Sequence, residues 1–245
     1  MDLRRLAFVS LSLIAWLVPT ARLQANTAIE PAPRDEKWVA RHAGFVARAQ
    51  QGDIGVLFLG DSITDNWRRA DKGLPVWERE YGGLKAVNFG ISGDRTQHVL
   101  WRLRHGEAEG YEPKVVVLMI GTNNTGLERD GTTPRNTPAE TIVGITAVVA
   151  ELRARFPAAT VLLQAIFPRG EPGDAQRVQI AEINAAIAKL DDGVHVHFID
   201  FGARFLDAEG RLPADIMADK LHPDLKGYEI WADAIREPLA TLLKD

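Results

Sequence analysis

Five continuous apolar runs, rich in β-branched residues, most constrain what this chain can fold into. They are Val56–Leu59, Ala86–Phe89, Val115–Ile120, Thr160–Ile166 and Val194–Ile199. Runs without polar alternation are typical of strands that other elements cover on both faces. We therefore predict five buried strands.

Segments with helical periodicity flank and separate these runs. They are Glu36–Ala49, Thr96–Arg104, Pro138–Phe156, Asp174–Lys189 and Pro223–Leu243. In the last of them Tyr228, Trp231 and Ile235 recur at intervals of three and four residues, the spacing of one helix face. The alternation of strands and helices predicts an α/β fold, a three-layer α/β/α sandwich around a five-stranded, mostly parallel sheet.

The N-terminus has the pattern of a secretory leader. Arg4 and Arg5 precede the apolar run "LAFVSLSLIAWLVPTA", and the small-residue stretch "QANTA" follows it. A membrane-spanning helix needs about 20 apolar residues, so a cleaved leader is favoured over an uncleaved anchor. We expect residues 1–28 to be a signal peptide cut near Ala25 or Ala28, and the protein to be exported, periplasmic or extracellular.

Composition narrows the class of protein further. The remaining residues, 29–245, are enough for a single domain with one sizeable core. A net charge of −4 without a basic run argues against nucleic acid as a partner. The absence of cysteine excludes disulfides, thiolate chemistry and cysteine-based metal sites.

The chemistry of such a fold is expected at the ends of its strands, because open α/β sheets bind ligands beyond the carboxyl ends of their strands. Three such ends carry polar residues, in "LGDS", "NFGISGD" and "MIGTNN". Ser62, in the first, is a candidate nucleophile. Its alternative role is that of a helix N-cap, for which serine is a common choice.

A serine nucleophile needs a base, and His222 is the histidine best placed to be one. It stands in "ADKLHPD", three residues after Asp219. That interval lets the carboxylate fold back onto the imidazole, fix its tautomer and stabilise the imidazolium that forms during proton transfer. The alternative is an exposed pair that merely flanks the start of a helix.

The other histidines in the chain favour structural roles. His42 and His105 have charged neighbours and are predicted to lie on the surface. His98 lies on a helix, where it could border a pocket, and is expected to pack. His195 and His197 alternate along one strand, which favours a solvated strand face over half of a metal site.

Two further residues could donate hydrogen bonds to an oxyanion. Gly93, in "GISGD", lets the backbone bend and present its N–H without a side chain in the way. Asn123, in "IGTNN", can donate from an uncharged amide. The adjacent Asn124 could do the same, and spacing does not separate the two.

The blocks "GDS", "GISGD", "GTNN" and "DKLH" together resemble those of the SGNH (GDSL-type) hydrolases. Within that superfamily the resemblance is strongest to the catalytic subunits of platelet-activating factor acetylhydrolase Ib. It extends over "NFGISGDRTQHVLWRL", "PKVVVLMIGTNN" and "PRG", and covers the chain from about Gly55 to its C-terminus. The resemblance implies the flavodoxin-like form of the α/β/α fold.

The resemblance also implies roles for individual residues. Ser62 would be the nucleophile, His222 its base and Asp219 the orienting carboxylate. The N–H groups of Ser62 and Gly93 and the side chain of Asn123, rather than Asn124, would form the oxyanion hole. No metal and no organic cofactor would be needed.

The function expected is hydrolysis of short-chain esters, most simply acetyl esters of a carbohydrate or lipid. A lysophospholipase or thioesterase is the alternative enzyme, and a binding protein without catalysis is the alternative class. A nucleotide-binding domain is disfavoured, because "GISGDRT" lacks the phosphate-binding glycine patterns. The related subunits pair, which makes a homodimer possible.

Segment Gly126–Pro138 is longer than the corresponding loop of the related subunits. It is predicted to lie beside the pocket that contains Ser62. The roles of Arg95 and Trp101 stay open.

Overall fold

Each predicted apolar run forms a strand of one sheet. The computed structural model describes residues 25–244, and its strands are β1 (Val56–Gly60), β2 (Ala86–Gly90), β3 (Val115–Met119), β4 (Thr160–Gln164) and β5 (Val196–Ile199). All four pairings are parallel, and the strand order is β2-β1-β3-β4-β5. This is the order of the flavodoxin-like sheet, as the resemblance implied.

Helices cover both faces of the sheet. They are α1 (Glu36–Ala49), α2 (Ser62–Asp65), α3 (Leu74–Tyr81), α4 (Thr96–Arg102), α5 (Pro138–Arg155), α6 (Ala175–Ile187) and α7 (Leu225–Leu242). Side chains such as Leu57 and Leu59 pack under α1, α4, α5 and α6. The alternate side chains Val56 and Phe58 pack on the opposite face against α2, α3 and α7. The three-layer prediction is therefore confirmed.

Several predicted boundaries differ from the observed ones for local reasons. Helix α4 ends at Arg102 instead of Arg104, because a wider π-helical turn follows at Leu103–Glu107. Within that turn His105 and Gly106 leave helical geometry, the latter with φ of +94°. The helices α2 and α3 were not predicted, since each is too short for a periodic pattern to emerge.

Strand β5 begins two residues later than predicted. The side chain of Asp192 accepts hydrogen bonds from the N–H groups of Val194, His195 and Val196. These bonds hold the preceding residues in a turn, so the strand starts at Val196 and His195 lies outside it.

The N-terminal segment is more closely integrated than the sequence suggested. Most of the predicted leader, residues 1–24, lies outside the described residues. Ala28 is fully buried, and its carbonyl accepts a hydrogen bond of 2.7 Å from the Thr96 hydroxyl. The Asn26 amide donates to the Glu140 carbonyl at 3.3 Å. None of the helices from residue 25 onward combines the length and apolar character needed to cross a membrane.

Candidate active site

Three neighbouring strands bring the candidate site together. Ser62 opens α2 directly after β1, which is the middle strand of the β2-β1-β3 trio. Gly93 lies in the turn after β2, and Asn123 lies in the helical turn that follows β3. Parallel strands end at the same edge of the sheet, so these residues meet where the strand order reverses.

The predicted triad residues form a continuous chain of hydrogen bonds. The distance from Ser62 Oγ to His222 Nε2 is 2.9 Å. The distance from His222 Nδ1 to Asp219 Oδ2 is 2.6 Å. An imidazole that donates from Nδ1 to the carboxylate presents its Nε2 lone pair to the hydroxyl, which is the tautomer that a general base requires.

The loop from Asp219 to His222 is shaped by the Asp219 side chain itself. Its Oδ1 accepts the backbone N–H groups of Leu221 at 3.0 Å and His222 at 2.7 Å. Partial burial raises the pKa of Asp219, but the hydrogen bonds from the His222 backbone and ring lower that pKa more. The net effect holds the pKa below its ordinary value, so the carboxylate stays ionised opposite the imidazole.

The last helix holds this loop against the serine turn. The hydroxyl of Tyr228, in the first turns of α7, donates a 2.7 Å hydrogen bond to the Ile63 carbonyl. The rings of Tyr228 and Trp67 lie 4.4 Å apart at their centroids, and both side chains are buried. The hydrogen bond joins residues that are 165 positions apart. Together the two contacts place His222 over Ser62.

Ser62 and Gly93, which both line the cleft, have backbone N–H groups that could serve as donors. Within residues 25–244, the N–H groups of Ser62 and Gly93 have no hydrogen-bond acceptor. Gly93 has φ of +83°, a conformation that glycine adopts without strain. A glycine is also required at Gly60, because a Cβ there would overlap the Thr64 side chain and the Met119 carbonyl.

The two adjacent asparagines, which spacing could not separate, have different surroundings. Asn123 is half-buried and lines the cleft at Ser62, and its Nδ2 donates one hydrogen bond of 3.0 Å to the Asp94 carbonyl. In the described part of the chain, its second amide hydrogen has no acceptor. Asn124 is fully buried, where it accepts from the Thr96 N–H and donates to Thr96, Gln97 and Asn136.

A cluster of buried charges lies behind the Gly93 turn. The carboxylate of Asp94 accepts a 2.6 Å hydrogen bond from Trp38 Nε1 and lies 3.3 Å from Arg102 Nε, and Arg102 also lies 3.5 Å from Glu107. Burial raises the pKa of Asp94 to about 6, against the opposing effect of Arg102. Because the Asp94 carbonyl holds Asn123, this cluster positions the amide that faces the cleft.

The prediction that His42 lies on the surface is wrong. Its side chain is buried, and its ring nitrogens lie 3.2 Å from Glu107 Oε2 and 2.9 Å from the His105 carbonyl. Charged neighbours in sequence were misleading, because helical periodicity puts His42 on the same buried face of α1 as Trp38 and Phe45. His105 is exposed, as predicted.

The remaining histidines lie apart from the serine. His98 packs edge-on against Trp38 and borders the cleft, and its Nδ1 accepts the Arg95 N–H at 3.0 Å. Burial lowers the pKa of His98 to about 3, so its ring is neutral. Exposed His195 and half-buried His197 belong to no group of three potential ligands among residues 25–244.

The cleft beside Ser62 has a volume of about 520 Å³ and continues past Gly93 and Asn123 into a space of about 560 Å³. Segment 126–138 lines the second part, and Arg95 does so as well, whereas Trp101 packs against Trp38 with ring centroids 5.2 Å apart.

The cations beside Ser62, namely Arg34, Arg69, Lys72 and Arg129, were not predicted from the sequence. Arg34, in a stretch that resembles a simple linker, lies beside Gly93, and Arg129 comes from the long loop. A charged residue in a loop carries no signal for the site it faces.

Asp61 precedes the serine and is fully buried. Its Oδ1 accepts the Ile63 N–H at 3.0 Å, and within the described residues its Oδ2 has no hydrogen-bond partner. Burial raises the pKa of Asp61 from 3.8 to about 7. Between about pH 4 and pH 7 the folded protein therefore binds a proton that the unfolded chain has lost, so rising pH across this interval lowers the free energy of unfolding.

The variant Asp61→Asn copies the neutral form of this side chain. Its free energy of unfolding should therefore not fall in this way as the pH rises. We expect its melting temperature, relative to wild type, to be roughly 10 °C higher at pH 8 than at pH 4. A pKa rise of about three units corresponds to about 4 kcal/mol, and 1 kcal/mol shifts the midpoint by roughly 2–4 °C at this size. Thermal denaturation at both pH values measures the difference. Asp71→Asn, at an exposed carboxylate paired with Arg69, is the control and should show no such gain. An offset for Asp61→Asn that is independent of pH would contradict the prediction.

Comparison with known proteins places the chain among ester hydrolases. Residues 58–230 match the GDSL-like Lipase/Acylhydrolase family. The alpha2 subunit of platelet-activating factor acetylhydrolase IB from Homo sapiens is 32% identical over 219 residues, which cover 89% of this chain and 90% of that protein.

Solved structures share the fold. A GDSL-like lipase from Bacteroides thetaiotaomicron aligns with a TM-score of 0.63 at 20% identity, covering 84% of this chain and 97% of that one. A catalytic mutant of Axe2, an acetylxylan esterase from Geobacillus stearothermophilus, aligns with a TM-score of 0.58 at 22% identity, covering 76% and 95%.

Proposed function

Because the chain belongs to the GDSL-like lipase/acylhydrolase family and is a carboxylic ester hydrolase, we propose that it hydrolyses short-chain esters through a Ser62–His222–Asp219 triad. The observation that carries the proposal is the unbroken hydrogen-bond chain from Ser62 Oγ through His222 to Asp219, at 2.9 and 2.6 Å. It opens onto a cleft that Gly93 and Asn123 also line.

In the first half of the proposed mechanism, Ser62 Oγ attacks the ester carbonyl carbon while His222 Nε2 accepts the hydroxyl proton. The tetrahedral oxyanion accepts hydrogen bonds from the N–H groups of Ser62 and Gly93 and from Asn123 Nδ2. Collapse of this intermediate releases the alcohol, which takes the proton from His222. Asp219 holds the imidazole and stabilises its charged form.

In the second half, water attacks the acyl-serine and gives a proton to His222. The second tetrahedral intermediate rests on the same three donors. When it collapses, the acid leaves and the proton returns to Ser62 Oγ, which restores the resting enzyme.

A small acyl group is supported by the lining of the cleft. Of the residues around Ser62, only Leu221 has an apolar side chain, so a fatty chain would find little surface to bury. The curated relative is named an acetylhydrolase and one structural neighbour an acetylxylan esterase, which also favours acetyl transfer to water. We propose an acetyl ester, with a carbohydrate or lipid as the alcohol.

A chain-length series tests this specificity. We expect kcat/KM to fall from p-nitrophenyl acetate to the octanoate and to be lowest for the palmitate. A preference for the palmitate would instead support the lysophospholipase alternative, and faster hydrolysis of acyl-coenzyme A substrates would support the thioesterase alternative.

A fluorophosphonate probe tests whether the protein is an enzyme. Labelling that maps to the Ser62 peptide is expected for an enzyme, whereas folded protein that stays unlabelled would favour a binding protein.

The oxyanion role of Asn123 has its own test, for which the chain supplies a matched neighbour. Asn123→Ala should lower kcat about 10²- to 10³-fold, because one oxyanion donor is lost. Its melting temperature should stay near that of wild type, since Asn123 Nδ2 makes a single hydrogen bond.

Asn124→Ala should show the opposite balance between activity and stability. It removes four buried hydrogen bonds and should lower the free energy of unfolding by roughly 3 kcal/mol. Steady-state kinetics and thermal melts of both variants measure the contrast. A kcat for Asn123→Ala within fivefold of wild type would exclude the proposed role.

We also propose that the protein is exported and that its leader is cleaved after Ala25, upstream of the boundary predicted at Ala28. Support comes from the contacts of Asn26 and Ala28 with the domain, which cleavage after Ala28 would remove. Mass spectrometry of the mature protein should find Asn26 as its first residue. A mature chain that begins at Ile29, or retention of the leader, would contradict this proposal.

A further inference from the structure

The cleft beside Ser62 is positively charged, although the protein as a whole carries a net charge of −4. Asp219 is the carboxylate that lines the part beside Ser62, and it is engaged by His222, whereas Glu128 and Asp130 line the second part. The cationic side chains that line the part beside Ser62 are Arg34, Arg69, Lys72 and Arg129. Cations gathered in a concave surface raise the local concentration of anions and speed their association.

Arg34 is fixed beside the proposed oxyanion hole. Its Nη1 donates to the Ser92 carbonyl at 2.8 Å and lies 3.2 Å from Asp94 Oδ1. Both terminal nitrogens of Arg34 lie 3.2 Å from the position that a Cβ on Gly93 would occupy. Within residues 25–244, its Nη2 has no hydrogen-bond partner, so one face of the guanidinium can meet a ligand.

Arg129 is the second arginine at this position, and its charge is not neutralised. It lines both parts of the cleft, yet among residues 25–244 it forms neither an ion pair nor a side-chain hydrogen bond. Its neighbour Glu128 is already engaged by Arg95, through two hydrogen bonds of 2.6 Å, and lies 3.6 Å from Arg135. The second carboxylate of this loop, Asp130, accepts hydrogen bonds from Thr132 and Thr133. Neither carboxylate of the loop therefore forms an ion pair with Arg129 among residues 25–244.

Arg129 differs in this respect from the other cations of the cleft, since Arg34 also lies 3.2 Å from the Asp94 carboxylate. Arg69 is paired with Asp71 at 2.7 Å, and Lys72 with Asp224 at 3.0 Å. A guanidinium offers paired donors that match a carboxylate or phosphate, which makes an unpaired arginine a suitable anion ligand.

We propose that this cleft takes esters whose alcohol part carries a negatively charged group, a carboxylate or a phosphate, and that Arg129 and Arg34 bind that group. The inference rests on the proposed function, because an acetyl group bears no charge and the anion must therefore belong to the alcohol. It also assigns a purpose to the long loop 126–138, which delivers Arg129 to the site.

A competing explanation is that the arginines only stabilise the oxyanion. In that case they would accelerate neutral and anionic esters alike. The ratio of kcat/KM for a charged ester to that for its neutral analogue separates the two explanations, since oxyanion stabilisation cancels in the ratio.

The test uses 3-(4-acetoxyphenyl)propionate and its methyl ester, in which a two-carbon spacer keeps the leaving groups similar. For wild type we expect the anionic ester to be preferred at least about fivefold, with the preference declining in 0.5 M salt. The matching 2-(4-acetoxyphenyl)ethyl phosphate shows whether a phosphate or a carboxylate is the better group.

Variants of Arg129 assign the preference to a residue. Arg129→Gln should lower the ratio roughly fivefold, Arg129→Glu should lower it further, and Arg129→Lys should retain most of it. Arg204→Gln, at an exposed arginine paired with Asp233, is the control and should leave kcat/KM for both esters unchanged.

Two outcomes would overturn the inference. One is a wild-type ratio at or below one, and the other is a ratio that is the same in all Arg129 variants. Either result leaves the proposed function intact as long as the neutral ester is hydrolysed. If neither ester is hydrolysed, the result would instead contradict the proposed function.

Discussion

Replacing Ser62 with alanine is expected to lower kcat for p-nitrophenyl acetate by about 10⁴- to 10⁶-fold. The hydroxyl is the atom that would form the covalent bond to the acyl group, and no cysteine is present that could substitute for it. KM should change little, because the hydroxyl contributes little to binding the ground state. The melting temperature should also be nearly unchanged, since among residues 25–244 Ser62 Oγ has a single hydrogen-bond partner, His222.

The triad can be tested as a unit by combining variants. His222→Ala alone should lower kcat about as much as Ser62→Ala does. The double variant Ser62→Ala/His222→Ala should have a kcat no lower than that of either single variant, because members of one catalytic unit do not contribute additively. Single-turnover measurements with enzyme in excess guard against traces of wild type. A kcat for Ser62→Ala within tenfold of wild type would refute the role of Ser62 as the nucleophile.

Asp219→Asn is expected to have the second largest effect, a fall in kcat of about 10³- to 10⁴-fold. The asparagine carbonyl can still accept the N–H groups of Leu221 and His222, so the loop should keep its shape. Its amide, however, would donate to His222 Nδ1. The imidazole would then carry its proton on Nε2 and could not accept one from Ser62.

The control for Asp219 is a carboxylate on the same segment. Asp215 is similarly exposed and pairs with Lys226 at 2.6 Å, away from the imidazole. Asp215→Asn should therefore keep kcat within about twofold of wild type. Equal losses in the two variants, or a loss at Asp219 smaller than tenfold, would show that general charge near the loop matters more than the Asp219–His222 hydrogen bond.

Much of the site could be predicted because its residues follow strands. Ser62, Gly93 and Asn123 each come shortly after an apolar run, and parallel strands deliver such residues to one edge regardless of their separation in sequence. The Asp219–His222 contact was predictable for a different reason, since an interval of three residues fits within a single turn. These are local rules combined with one rule of topology.

What escaped prediction depends on contacts between distant segments. The burial of His42 follows from its face on α1 and from Glu107, which is 65 residues away. The position of Arg34 beside Gly93 depends on how an irregular segment crosses the sheet edge. Spacing did not separate Asn123 from Asn124; the resemblance favoured Asn123, and the fold adds the different hydrogen-bond partners of the two amides.

The separation of Ser62 from His222 by 160 residues has a consequence for the newly made protein. A ribosome must finish nearly the whole polypeptide before the hydroxyl can meet its proton acceptor, and α7 must then dock through Tyr228. Under the proposed mechanism, a nascent or truncated chain that lacks His222 is expected to be inert toward esters. Turnover of a chromogenic substrate would then report the fraction of chains that have reached the finished fold.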